Sequence, residues 1–232
     1  MSDFLHVQNL SKRYGTGPMI LSGMDHHFQK GTATGLIGAN GSGKTTFLRL
    51  VSITAFPTEG TITFLGQPIY DAPHKFLAHI GIVTDATDLP AYLSANELLE
   101  WTLRARKKWV DGESPRQMDE LFGRLQFDER RENLIGTYSS GMLQKTMLAC
   151  SLITRPEIIL LDEPFRALDE PSKKASLELL NEYKAGGGTI LVSSHLRRSL
   201  AKLCDDYITF PVRDGNSGQS GDAGNSEDAG DA

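Results

Sequence analysis

Residues 34–51 read TGLIGANGSGKTTFLRLV, and this stretch decides the fold class. A short apolar run, Thr34 to Ile37, leads into the glycine-rich segment Gly38 to Thr45, which is followed by a segment of helical periodicity, Thr46 to Val51. Strand, glycine loop and helix in this order are typical of a phosphate-binding loop. A chance glycine-rich turn would not match every fixed position of the motif together with its flanks. We therefore predict that this segment binds the phosphates of a nucleotide.

The residue types of this loop explain how it would bind phosphate. Glycines let the backbone approach closely, so that consecutive N–H groups and the positive end of the following helix face the ligand. Lys44 adds a positive charge for the β- and γ-phosphates, and the Thr45 hydroxyl is a ligand for Mg²⁺. On its own the loop also fits kinases and GTPases. The predicted contacts are Gly38, Ala39, Asn40, Gly41, Ser42, Gly43, Lys44, Thr45 and Thr46.

Two further groups of polar residues follow apolar runs. Asp162 and Glu163 come directly after Ile158 to Leu161, and His195 follows Thr189 to Val192 by way of two serines. Parallel strands open onto the ligand at their carboxyl ends, so these side chains are expected beside the phosphate loop. Asp162 would hold Mg²⁺, Glu163 would polarise the attacking water, and His195 would sense the γ-phosphate. The alternative for the acidic pair is that it merely ends a strand. The alternative for His195 is an ordinary surface or core histidine.

The remaining pattern predicts an α/β fold, with a P-loop NTPase core and a mostly parallel sheet. Apolar runs such as Ile80 to Val83 alternate with helical segments, and the first thirty residues predict two strands joined by a glycine-rich turn, an antiparallel β edge. Between about residues 85 and 152 the pattern is helical only, which indicates a helical insert. Its predicted helices are Ala95 to Lys108, Ser114 to Leu125 and Gly141 to Ile153.

Two of these helices have predicted starts with a local cause. Ser94 stands before the first, and Glu97 occupies its third position, a capping box. In the second, Ser114 would precede a proline at the first helical position, where a missing N–H costs little.

Composition narrows the class of protein. The 232 residues contain no apolar run close to the ~20 needed to span a bilayer, and no secretory leader is visible at the start, so a cytoplasmic address is expected. The formal net charge is −5, and residues 214–232 contain five acidic residues and no Lys or Arg, so they account for all of it. We predict that this segment is a disordered tail. The near-neutral remainder, residues 1–213, argues against a nucleic-acid partner. Cys150 and Cys204 stand in apolar segments, which favours core packing over a metal site.

The segment Tyr138-Ser139-Ser140-Gly141-Met142 lies before a helical stretch and about twenty residues ahead of the acidic pair. In this order it resembles the signature of the ABC transporter ATP-binding subunits, although a serine-capped helix start would look similar. The resemblance extends from Phe4 to about Phe210. It implies that Ser139, Ser140 and Gly141 bind the γ-phosphate of an ATP held by a second subunit. It also implies that Tyr14 stacks on adenine and that Asp169 reaches across a dimer; a turn residue and a helix-entry acid are the plainer interpretations.

Four positions depart from the family pattern. Alignment after Ile80 to Val83 places Asp85 where the family has a glutamine that touches Mg²⁺, so Asp85 is either a metal ligand or a solvated loop acid. Ser140 and Met142 replace a Gly and a Gln in the signature, a variant similar to export-type systems. Arg166 stands where a small residue is common, and it would either pair with a partner or crowd the interface.

The resemblance implies an ATP-hydrolysing subunit that powers a separate integral membrane permease from the inner face of the membrane. Its cofactors would be ATP and Mg²⁺, and its working form a homodimer or heterodimer that closes on two ATP molecules. The permease would dock near residues 85–100, where Leu89, Tyr92 and Leu93 are either surface or core. A soluble ABC ATPase with a non-membrane cargo is the first alternative. An unrelated P-loop kinase or GTPase, or an inactive nucleotide-binding module, explains fewer of these residues.

Overall fold

A computed structural model describes residues 4–84, 89–127 and 129–212. The predicted tail and Asp85 lie outside these ranges. In chain order the elements are β1 Leu5–Lys12, β2 Leu21–Phe28, β3 Ala33–Ile37, α1 Lys44–Val51, β4 Glu59–Phe64, β5 Gln67–Pro68, α2 Pro73–Leu77, β6 Ile80–Val83, α3 Ala95–Ala105, α4 Glu113–Arg124, α5 Ser140–Ile153, β7 Ile158–Asp162, α6 Glu170–Ala185, β8 Thr189–Ser194 and β9 Asp206–Thr209.

The central sheet has five parallel strands in the order β6-β7-β8-β3-β9. Its inner strands are apolar and buried on both faces, as a sheet covered by helices requires. Register places the strand ends together, since Asp162 pairs with Ser193 and Ile37 pairs with Ser194. The residues that follow β3, β7 and β8 therefore emerge at one edge of the sheet.

The first two strands are antiparallel, as predicted, and they belong to a second sheet with the order β2-β1-β4-β5. Its apolar face, which includes Leu5, Val7 and Ile62, is fully buried. The same core cluster contains Phe47 and Leu50 of α1. The antiparallel sheet therefore packs against the helix that follows the phosphate loop.

The helical insert begins as the sequence indicates. Ser94 accepts a hydrogen bond from the N–H of Glu97 at 3.2 Å, and the Glu97 carboxylate accepts from the N–H of Ser94 at 2.8 Å. The helix α3 ends at Ala105, three residues earlier than predicted. Lys107 adopts a φ of 55°, in the left-handed region that ends a helix.

One predicted helix start is wrong in position. The helix α4 begins at Glu113 after Gly112, whose φ is 76°, so Pro115 is the third helical residue and not the first. The third N–H of a helix also has no intrahelical acceptor, which is why proline is tolerated there. A glycine in the left-handed region gives the earlier chain reversal, and the Ser114 N–H bonds the carbonyl of Val110 at 2.9 Å.

Both cysteines pack against the larger core cluster, as predicted. Burial raises the pKa of each thiol to about 12, since a thiolate would lose its hydration. Among the helices of the described residues, none has the length and apolarity that crossing a membrane requires.

Candidate active site

The loop between β3 and α1 has the backbone of a phosphate cradle. Gly41 and Gly43 have φ values of 77° and 108°, which L side chains rarely adopt. A Cβ at Gly38 would stand 2.6 Å from the carbonyl oxygen of Phe210, so only glycine fits there. These constraints explain why three glycines occur within six residues.

The Lys44 side chain folds back over this loop and is only 5% exposed. Its Nζ donates to the carbonyl of Gly38 at 2.7 Å and to that of Ala39 at 3.1 Å. The first turn of α1, which begins at Lys44, contains no acidic residue, so its free N–H groups and helix dipole favour an anion. The ammonium is therefore held where phosphate oxygens would approach.

Asp162, at the end of β7, is held by two hydroxyls. Thr45 donates to Oδ2 at 2.7 Å, and Ser193 of the neighbouring strand donates to Oδ1. A hydroxyl and a carboxylate are hard oxygen donors, and Mg²⁺ at phosphate sites commonly takes one or two such protein ligands and keeps several waters. The pair Thr45 and Asp162 therefore fits a magnesium ion.

Glu163 adopts a strained backbone, with a φ of 46° for a residue that carries a side chain. Its N–H donates to Ser193 Oγ at 3.0 Å, and its carboxylate lies 3.3 Å from Nδ1 of His195. Strain of this kind costs roughly 1–3 kcal/mol and concentrates at functional sites. The turn after β7 directs the carboxylate toward the half-exposed imidazole.

These residues surround one cleft of about 800 Å³. Its walls come from the phosphate loop, from the acidic pair and from the helical insert. The lining residues include Lys44, Thr45, Thr46, Thr84, Asp162 and Glu163. His195 reaches this cleft through its contact with Glu163.

Ser193 is a member of the site that sequence reasoning assigned no role. It is fully buried and bonds both acidic residues, the Asp162 carboxylate and the Glu163 N–H. Its position opposite Asp162 follows from the register of β7 and β8. The local signal was the pair of serines, Ser193 and Ser194, that follows the apolar part of β8.

Removing the Ser193 hydroxyl is expected to destabilise the protein. Ser193→Ala leaves the partly buried Glu163 N–H without its acceptor, so the free energy of unfolding should fall by roughly 1–3 kcal/mol. Urea unfolding measures this loss. The control is Ser151→Ala, whose buried hydroxyl donates only to the carbonyl of Leu148 one turn earlier; its loss should be smaller. Equal losses would contradict the role given to Ser193.

The signature segment forms a second surface. Ser139 caps α5 by accepting from the N–H of Met142 at 3.3 Å, and Asp169 caps α6 by accepting from the N–H of Ser172 at 3.0 Å. Hydrogen bonding from Ser172 holds the pKa of Asp169 below its usual value, so this carboxylate stays charged. Ser139, Ser140, Gly141 and Asp169 line a cavity of about 300 Å³, and only Ser140 of these also lines the Lys44 cleft.

Comparison with known proteins identifies the family. The sequence profile described as ABC transporter matches residues 21–166. The chain belongs to the ABC transporter family. An uncharacterised ABC transporter ATP-binding protein of Bacillus subtilis, YybJ, is 31% identical over 201 residues, which cover 87% of this chain and 89% of that protein. The Nod factor export ATP-binding protein I of Sinorhizobium fredii is 32% identical over 206 residues, 87% of this chain and 58% of its own length.

Solved structures of this family match the fold. A structure described as the ATP-binding subunit of an ABC transporter superposes with a TM-score of 0.82 at 28% identity, covering 89% of this chain and 85% of that one. A dimeric post-hydrolysis ATP-binding cassette with ADP and Pi gives 0.79 at 25% identity, covering 89% and 94%. The predicted family and α/β fold class are confirmed. The protein is an ABC ATPase that binds ATP.

One predicted site residue of this ABC ATPase, Tyr14, does not line the cleft. Tyr14 is half-exposed, with Lys12 Nζ 4.7 Å from its ring centroid. Its contact with adenine stays a prediction. The prediction of a metal contact by Asp85 falls outside the described residues.

Proposed function

We propose that this ABC ATPase powers a separate membrane permease through ATP-driven closure of a dimer. The observation that carries the proposal is that one chain has two cavities, each lined by residues predicted to bind phosphate. Lys44 and Asp162 line the first, and Ser139 and Gly141 line the second. In this proposal each surface alone would contact only part of a nucleotide.

A dimer follows from this separation. Ser139 and Gly141 line a different cavity from Lys44, so we infer that a γ-phosphate bound by both sets of residues lies between two copies. Head-to-tail pairing of two copies places the Ser139 surface of each over the cleft of the other. Asp169, beside the second surface, would then face the partner. The dimeric structure of a related cassette supports this arrangement.

In the proposed reaction the residues of the cleft have three roles: phosphate binding, metal binding and activation of water. Lys44 exchanges the carbonyls of Gly38 and Ala39 for phosphate oxygens. Thr45 and Asp162 would hold Mg²⁺, which supplies positive charge to the β- and γ-phosphates. Glu163 orients the attacking water and accepts its proton, while His195, whose Nδ1 lies 3.3 Å from the Glu163 carboxylate, senses the γ-phosphate.

Hydrolysis would convert this binding into mechanical work. ATP contacts both copies, so it favours the closed dimer over the open one; loss of phosphate removes that difference in affinity and the dimer reopens. Transport requires that the cycle be passed to a membrane chain. The subunit would accordingly work at the inner face of the membrane.

The helical insert offers a surface for that chain. Tyr92 is 77% exposed and Leu134 is 52% exposed, and backbone hydrogen bonds join their two segments, from Ile135 to Leu93 and from Gly136 to Ala91. Leu89 and Leu93 instead pack against the core, which answers the question that the sequence left open. A paired, exposed Tyr and Leu suit an apolar coupling segment of a permease.

Affinity purification from membranes of the native host tests this proposal. An integral membrane protein should copurify with the wild-type chain, and the double variant Tyr92→Asp and Leu134→Asp should lose most of it, since two buried charges disrupt an apolar interface. The control is Leu65→Asp, an exposed leucine in the turn between β4 and β5, which should keep the partner. A soluble assembly without a membrane protein would favour the alternative, an ABC ATPase with a non-membrane cargo.

A further inference from the structure

Gln144 lies one turn into α5 and carries an amide without a hydrogen-bond acceptor. The side chain is 8% exposed, its Nε2 is sealed from solvent, and no acceptor lies within reach of that atom in the part of the chain described. An unpaired buried donor costs roughly 1–3 kcal/mol. A helix position of this kind would be more stable with an apolar residue, so the amide needs another explanation.

Neighbouring polar residues of α5 are satisfied locally. The Thr146 hydroxyl donates to the carbonyl of Met142 at 2.9 Å, and the Ser151 hydroxyl donates to that of Leu148. Gln144 is one of three side chains with such an unpaired atom in the described ranges; the others are Ser42 in the phosphate loop and Ser172 in the second cavity. Gln144 and Ser172 each line one of the two cavities proposed to hold nucleotide, and Ser42 belongs to the phosphate loop itself.

Packing places Gln144 in the wall of the Lys44 cleft. The helix α5 lies against β6, since a Cβ at Gly81 would be 3.2 Å from Ser151. Gln144 lies seven residues before Ser151, about 10 Å along the helix axis. Thr84 lies a similar distance from Gly81 along the strand, so Gln144 is expected near Thr84. Gln144 and Thr84 both line the cleft, in agreement with this estimate.

The loop that carries Glu163 borders the same helix. Gly141, three residues before Gln144 and on the same side of α5, is so close to this loop that a Cβ there would be 3.0 Å from the Ala167 carbonyl. Glu163, Arg166 and Ala167 line the cleft together with Gln144. A small shift of α5 toward the loop would bring oxygen acceptors of that loop within reach of the amide.

We propose that Gln144 is a positioning residue for ATP hydrolysis, whose amide donates to the Glu163–Ala167 loop once nucleotide closes the insert onto the cleft. The inference rests on the proposed function, because it assumes that Glu163 acts in the cleft. The bond holds the loop and its carboxylate in place. This bond forms only in the nucleotide-bound protein. The free-energy cost of the unpaired amide in the empty protein is therefore recovered when the insert closes.

Two variants and one control test the inference on the full-length protein. Gln144→Met removes the amide at similar volume; the urea midpoint without nucleotide should equal or exceed that of the wild type, and kcat should fall about tenfold with KM within about twofold. Thr146→Val removes a satisfied hydroxyl of the same helix. It should lower the midpoint and leave kcat unchanged.

Gln144→Glu tests the hydrogen bond through the pH dependence of kcat, which a change in packing alone would not alter. The ionised carboxylate cannot donate a hydrogen bond, whereas the protonated acid can, so the ratio of its kcat to that of the wild type should rise as the pH falls from 8 to 6. A kcat of Gln144→Met within twofold of wild type, with a lowered midpoint, overturns the inference while the proposed function stands. A wild-type protein that binds no ATP overturns both.

Discussion

Glu163→Gln is expected to lower kcat for ATP hydrolysis by about 10²- to 10⁴-fold while ATP still binds, since a positioned general base contributes that factor. The substitution keeps the size of the side chain and the backbone bond from the Glu163 N–H to Ser193, so the strained turn should persist. Phosphate release at saturating Mg·ATP measures the rate. Titration with a fluorescent ATP analogue measures the affinity, which should stay within a few-fold of wild type.

The trapped nucleotide should also stabilise the dimer in this variant. ATP that cannot be hydrolysed keeps both phosphate-binding surfaces engaged, so size-exclusion chromatography with Mg·ATP should show a dimer where the ADP-bound protein is monomeric. Glu170→Gln is the matched control, because the same chemical change falls on an exposed acid at the start of α6. Full turnover by Glu163→Gln would remove Glu163 from the role of base.

The central part of the fold could be predicted because its signals are local. The phosphate loop, the strand before Asp162 and Glu163, and the strand before His195 each combine an apolar run with an adjacent polar group. Parallel strands then place these ends at one edge, whatever the exact helix boundaries are. Fold class and the neighbourhood of the cleft follow from those few segments.

The roles of Ser193 and Gln144 could not be predicted in this way. Ser193 acts on residues thirty and thirty-one positions away, and that contact depends on the register of two strands. Gln144 looks like an ordinary polar residue in a helical stretch, and its burial follows from tertiary packing of α5 that the sequence does not reveal. The start of α4 was missed because Gly112 reverses the chain three residues before Pro115.

Mixing two inactive variants is expected to restore activity, because each active site would combine residues of two copies. Lys44→Ala removes the phosphate-binding cation of the loop. Ser139→Asp keeps a good helix cap but adds a negative charge where the γ-phosphate of the partner would lie. Each variant alone should lose about 10²- to 10³-fold in kcat, since each alters an electrostatic contact of the transition state.

In a mixed dimer, one site pairs the defective loop with the defective cap, and the other pairs two intact halves. Random pairing of equal amounts gives mixed dimers in half of the population, so about a quarter of the wild-type activity should return. The variants are mixed without nucleotide, and phosphate release is followed after Mg·ATP is added.

A mixture of Ser139→Asp with Glu163→Gln should recover a similar share of the activity, since these residues also lie on different surfaces. A mixture of Lys44→Ala with Glu163→Gln is the control and should stay inactive, because both changes damage the same surface. Activity that stays at the level of the single variants in every mixture would mean that Ser139 does not act on the nucleotide of a second copy.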